Sequence, residues 1–187
     1  MTTFEYFNHI LQTEFKSNDE LPFSITRKSF KKGEVITLYG QIERHVYFLV
    51  SGLVEVSIRK GDDERILDFF LPGRFVNAYT SFLMQQPSDV QVSVLIDCEV
   101  DAIHYSDIQA AYKTSLVANQ LGRITTESFY IISTNREKDF LTKSAQERYD
   151  ELFSKRPALI NLIPVHKIAK YLGIQPESLS RLRKIIS

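Results

Sequence analysis

The spacing of apolar residues changes twice along the chain, and each change marks a different kind of structure. Between residues 4 and 16, Phe4, Phe7, Ile10, Leu11 and Phe15 fall close to helical spacing, which predicts a short amphipathic helix lying on a larger body. From about residue 23 to residue 104 the pattern becomes short runs rich in Val, Ile, Phe and Tyr, punctuated by Gly33, Gly40, Gly52, Gly61 and Gly73. Short strands with glycine turns at this spacing predict a barrel or jelly roll. Residues 46–50 read as one strand ending at a Ser51-Gly52 turn. Residues 53–58 then alternate as a second, half-buried strand before a turn around Gly61, Asp62 and Asp63.

After Ser106, placed to cap a helix, glycines nearly vanish and a helical pattern runs to about residue 141 with a bend near Thr114. Within it Val117, Leu121, Ile124, Ser128 and Ile131 recur at steps of four and three. Such a stripe is the seam two helices share in a coiled coil; a helix packed on its own β body carries the same pattern. Ser144 with Glu147 forms a capping box that opens another helix to about residue 153. Arg156-Pro157 and Ile163-Pro164 divide the C-terminal stretch into further short helices.

The last two of these helices carry the candidate chemistry. Val165, Ile168, Ala169 and Leu172 share one face, and Gly173-Ile174 comes next as a tight turn. Gln175-Pro176-Glu177 then opens a second helix, with proline at its first position and an acid in its first turn. Leu179, Leu182, Ile185 and Ile186 give that helix a buried side, leaving Ser178, Arg181, Arg183 and Lys184 for solvent or a ligand. This pattern describes a helix-turn-helix with its second helix in a DNA major groove, or an ordinary helical hairpin with solvated cations.

Charge sharpens the first reading. The formal net charge is zero, yet residues 164–187 hold five bases against one acid, and the remainder holds 18 bases against 22 acids. A basic tail thus sits on an acidic body. Other classes lose ground: no apolar run of about 18 residues is present to span a bilayer, and the N-terminus lacks a signal-peptide pattern, so a cytoplasmic location is expected. The single Cys98 permits no intramolecular disulfide and reads as a buried, inert thiol. His45 and His104 lack the companions of a metal site, and neither a nucleophile elbow nor a phosphate loop is present, so no enzyme, catalytic residue, metal or required cofactor is expected.

Three motifs carry a resemblance. Residues 30–36 (FKKGEVI), 47–56 (YFLVSGLVEV) and 71–76 (LPGRFV) resemble the opening strand, the central glycine motif and the pre-cassette strand of the cyclic-nucleotide-binding β-roll in the Crp/Fnr family of bacterial transcription regulators. Residues 98–100 sit where that roll ends, and residues 168–174 through 180–182 are similar to the family's helix-turn-helix. The resemblance covers nearly the whole chain. It implies an α+β fold: a double-stranded β-helix (jelly-roll) domain with flanking helices over residues 1–112, a dimerisation helix over 113–141, and a small all-α helix-turn-helix domain over 142–187. It further implies double-stranded DNA, a second copy of the chain and RNA polymerase as partners, with no membrane.

By match to the family, Gln175, Glu177, Ser178 and Arg181 are candidates for base contact, and Lys167, Lys170, Ser180, Arg183 and Lys184 for phosphate contact. An effector pocket would be lined by Tyr79, Ser81, Ser88, Asp89 and Gln91. Members that bind cyclic AMP place a glutamate on the ribose, an arginine on the cyclic phosphate and a hydroxyl beside it. Here Ala78, Ser88 and Asp89 fall on those positions, and a carboxylate repels a buried phosphate, so cyclic AMP is not expected to bind. Pro176 stands where a base-reading arginine is frequent, and the usual β-hairpin wing is expected to be absent after Ser187. An alternative is a small-molecule-sensing roll whose C-terminal helices mediate protein contacts.

Overall fold

The computed structural model describes residues 1–61 and 63–186, with side chains as far as Arg181. Asp62, Ser187 and the side chains from Leu182 onward, those of Arg183 and Lys184 included, therefore lie outside the described residues. Six antiparallel strands form the roll: β1 (Thr26–Phe30), β2 (Val35–Thr37), β3 (His45–Lys60), β4 (Asp63–Phe70), β5 (Arg74–Val76) and β6 (Val90–His104). β3 and β6 are long and pair with each other along most of their length, with β1 and β2 on the outer side of β6 and β4 and β5 on the outer side of β3. Two such ladders bending together give the jelly roll. Its interior is the apolar set that includes Leu49, Val54, Val76, Val92 and Val100, each fully buried.

The Ser51-Gly52 turn expected between two strands is absent; β3 continues through it as one strand. Gly52 sits at φ 90°, and the register against β6 slips between Leu49 and Val54, so the glycine forms a bulge that bends one long strand.

Eight α-helices complete the described residues. α1 (Thr3–Leu11) opens with a capping box between Thr2 and Glu5 and ends earlier than its apolar spacing suggests, because Gln12 turns into the left-handed region. α2 (Tyr79–Met84) is a short helix between β5 and β6 that apolar spacing did not announce. α3 (Tyr105–Thr114) is capped by the His104 side chain, which accepts from the Ser106 N–H, so the cap lies two residues earlier than expected. The predicted bend is a true break: Ser115 caps α4 (Leu116–Thr142) by accepting from the Ala118 N–H. α5 (Ala145–Lys155) starts at the Ser144–Glu147 capping box, and α6 (Pro157–Leu162) has proline at its first position. α7 (Val165–Leu172) and α8 (Pro176–Ile186) end the chain's helical part.

Two further cores fix the helices to the roll. Phe7, Phe48, Phe75, Phe82, Ile103, Ile108 and Leu121 join α1, α2, α3 and the start of α4 to one side of it. On the other side Leu53, Ile66 and Phe69 of the roll pack with Tyr149, Leu152, Leu159, Ile168, Leu172 and Leu179. Each such side chain contributes roughly 1.5–3 kcal/mol when fully buried. The C-terminal helices are therefore docked on β4 through a shared apolar core.

Candidate functional site

Gly173 ends α7 in the left-handed conformation, φ 73°, and its N–H and that of Ile174 both donate to the Ala169 carbonyl. This closes the first helix and turns the chain into the second. α8 then buries Leu179 completely and leaves Gln175, Glu177, Ser178, Ser180 and Arg181 exposed. Four candidate base readers thus lie in or beside the first turns of one outward-facing helix. The Ser180 hydroxyl donates to the Pro176 carbonyl at 3.1 Å, so part of its bonding capacity is used within the helix.

The structure places Lys167 and Lys170 differently from the expectation of phosphate contact. Lys167 donates to the buried Glu55 carboxylate of β3, and Lys170 pairs with Asp63 of β4 at 3.0 Å. The β3–β4 hairpin lies beneath α7, so these ammonium groups find carboxylates of their own chain. Burial pushes the Glu55 carboxyl above its ordinary range, and the Lys167 charge works against that shift.

Between the roll and α4 lies a cavity of about 700 Å³. Of the five residues expected to line an effector pocket, Tyr79 and Asp89 do so. Tyr79 stacks on Phe129 of α4 with ring centroids 5.0 Å apart, and its hydroxyl shares a hydrogen bond with Thr126 at 2.8 Å. Ser81 instead faces the framework: its hydroxyl donates to the Gln86 carbonyl and accepts the Glu43 N–H. Ser88 closes a turn by donating to the Val90 carbonyl and accepting the Val90 N–H. Gln91 donates to Ser93 along β6, away from the cavity lining. Sequence reasoning missed Arg65, Asn77, Arg74 and Arg136, which also line the space. Arg65 and Arg136 come from β4 and α4, and no local motif announces them.

The predicted α4 seam divides in two. Leu121 is 2% exposed and packs, with Val117, in the core against the roll, so these two belong to the helix's own body. Ile124 and Ser128 are half-buried, the Ser128 hydroxyl donating to the Ile124 carbonyl at 2.9 Å. Ile131 is exposed, as are Tyr130 and Leu141, which the spacing did not single out. A straight helix of 3.6 residues per turn drifts against a seven-residue stripe, so its two ends face different neighbours.

Cys98 is buried, and burial pushes its thiol up to about 11. Among the described residues no group of three or more potential ligands could hold a metal, and no helix is long and apolar enough to cross a membrane. His45 and His104 meet edge to face, centroids 5.0 Å apart. Burial, the Lys28 ammonium and His104 together pull the His45 imidazole down to about 4. The unfolded chain then binds this proton more readily than the native one. Stability from neutral His45 is therefore complete above pH 6.5 and is lost progressively as pH falls toward 4. The ring is partly exposed and screened, so about 1–2 kcal/mol is expected. Thermal unfolding across this window should lose Tm more steeply in the parent than in His45→Gln; parallel profiles would contradict the assignment.

Residues 27–115 match the family model of the cyclic nucleotide-binding domain. No curated protein matches the sequence. Among solved structures, a putative Crp/Fnr-family transcriptional regulator from Eubacterium rectale is 14% identical, with 97% of this chain and 87% of that one covered at a TM-score of 0.73. FixK2 from Bradyrhizobium japonicum is 20% identical over 87% of this chain and 84% of its own, TM-score 0.72. CLP from Xanthomonas campestris is 19% identical over 87% and 86%, TM-score 0.69. At such identities the likeness is one of fold, and it extends well beyond the roll. The roll of this chain is thus similar to the cyclic nucleotide-binding domain, and the chain shares its fold with these solved proteins, a Crp/Fnr-family regulator among them.

Proposed function

We propose that this chain is a non-enzymatic, sequence-specific DNA-binding transcription regulator of the Crp/Fnr type, working as a homodimer on an inverted repeat. The observation that carries this reading is the outward face of α8. Gln175, Glu177, Ser178 and Arg181 stand exposed together above a fully buried Leu179, on a helix that comes directly after the tight Gly173 turn. Arginine can bond guanine through two parallel hydrogen bonds and glutamate can accept from cytosine. The exposed apolar residues Tyr130, Ile131 and Leu141 on α4 support a second copy of the chain as the partner of that helix. In a two-fold dimer the reading helices meet successive major grooves about 34 Å apart, hence the inverted repeat. Selection of duplexes from a random library by the purified protein is expected to yield such a repeat. Recovery of no common sequence would overturn the proposal.

The roll then serves as sensor or scaffold. CLP is a c-di-GMP-responsive global regulator, which supports a sensing role for the same fold here. Cyclic AMP is not the proposed effector: Ala78 is fully buried, the Ser88 hydroxyl is committed to its own turn, and Asp89 lines the cavity with a carboxylate. A carboxylate facing a desolvated phosphate is unfavourable. Isothermal titration is expected to show no cyclic AMP binding in the micromolar range, and a micromolar isotherm would refute this assignment.

A further inference from the structure

A second cavity, of about 450 Å³, lies where the roll, α4 and the C-terminal helices meet. Its walls carry the cations Arg74, Arg136, Arg148, Lys155 and Arg156 against the acids Asp68, Asp139 and Glu151. Every acid is already engaged. Asp68 is shared by Arg156 at 2.7 Å and Arg74 at 3.8 Å. Asp139 pairs with Lys143 at 2.6 Å, and Glu151 serves both Lys143 and Lys155.

Arg136 and Arg148 are left without a carboxylate among the described residues. Their Nη2 atoms donate to backbone carbonyls, that of Arg136 to Ile66 and Tyr171 at 3.2 and 3.1 Å, that of Arg148 to Leu172 at 2.9 Å. The bonds to Tyr171 and Leu172 satisfy open C-terminal carbonyls of α7, and the one to Ile66 reaches β4, but a carbonyl cancels no charge. The buried Nε of Arg148 has no hydrogen-bond partner among the described residues. Both guanidinium groups also lie against the Phe140 ring, 4.9 and 4.6 Å from its centroid. Two like charges thus share one ring in a partly enclosed space, in a molecule with no net charge. Enclosure of uncompensated cations is unfavourable, and an anion entering the space would relieve it. Guanidinium forks match phosphate oxygens in shape as well as charge.

We propose that this cleft binds the phosphate group of a small organic phosphate, held by Arg136 and Arg148 with Arg74 and Lys155 at the rim. The site is separate from the α8 face and does not depend on DNA binding. Its walls belong to all three parts of the chain, so occupancy ties the roll, α4 and α7 together. Pyrophosphate, titrated into the purified protein against a chloride control of equal ionic strength, is expected to give saturable, submillimolar binding and a raised Tm. Arg148→Gln should weaken it about tenfold through loss of one charged partner, and Glu151→Gln should tighten it severalfold by removing a competing acid. No saturable heat beyond the chloride control would overturn the proposal, as would equal affinity in the parent and both variants. Should Arg148→Gln fail to fold, Glu151→Gln alone decides, and unchanged affinity there rejects the site.

Discussion

Replacing Gly52 by alanine is expected to destabilise the protein by about 3 kcal/mol or more, through backbone strain and collision together. At φ 90° the residue already occupies a conformation that L side chains rarely adopt. An added Cβ would also stand 2.4 Å from the Asp97 carbonyl oxygen, 2.5 Å from the Cys98 Cβ and 2.7 Å from the Cys98 Cα. Those atoms belong largely to the β6 backbone, which is held in the β3–β6 ladder and cannot rotate aside as a surface side chain would. For a chain of this size the loss corresponds to a fall in Tm of roughly 6–12 °C. Gly33 is the control: it has the same φ of 90° but open space around its Cβ position, so Gly33→Ala should cost only the strain, about 1 kcal/mol. Denaturant unfolding of both variants separates the two effects. Equal losses would show that close approach to β6 contributes nothing.

Arg181→Ala is expected to reduce binding to a selected operator by about 10–100-fold per half-site while leaving binding to random duplex nearly unchanged. Arg181 is exposed and forms no ion pair among the described residues, so its removal leaves no buried group unsatisfied. The loss would then report groove contact and not a damaged fold. Gel shifts on specific and random duplexes at fixed salt measure both quantities. An equal loss on the two would assign Arg181 to the phosphate backbone, which carries affinity without sequence information.

The boundaries of α7 and α8 were legible because Gly173 and Pro176 mark them by local conformational preference alone. The same glycine logic misplaced Gly52. A positive φ serves a turn and a bulge equally, and only the partner strand β6 distinguishes them. The basic face of α7 was legible as charge, but a lysine does not announce whether its counter-ion is a nucleic acid phosphate or, as at Glu55 and Asp63, a carboxylate more than a hundred residues earlier. Leu121 shows the same limit for apolar residues. Its spacing fits a seam with another helix, while the fold gives it to the roll. Arg136 left no trace in the pattern, because its partners are backbone carbonyls of β4 and α7 brought together only by tertiary packing.

The pairs Lys167–Glu55 and Lys170–Asp63 give α7 an internal set of counter-ions. A lysine neutralised in this way displaces no cation from a duplex when the protein lands on it. Each phosphate contact steepens the fall of log K with log salt by about 0.9, so in the proposed DNA-binding dimer two lysines retained on the roll in each protomer would remove about 3.6 from that slope. The salt dependence of DNA affinity thus acts as a gauge of domain posture: a shallow slope reports α7 still fastened to its own hairpin, and a steep one reports that the helix has let go.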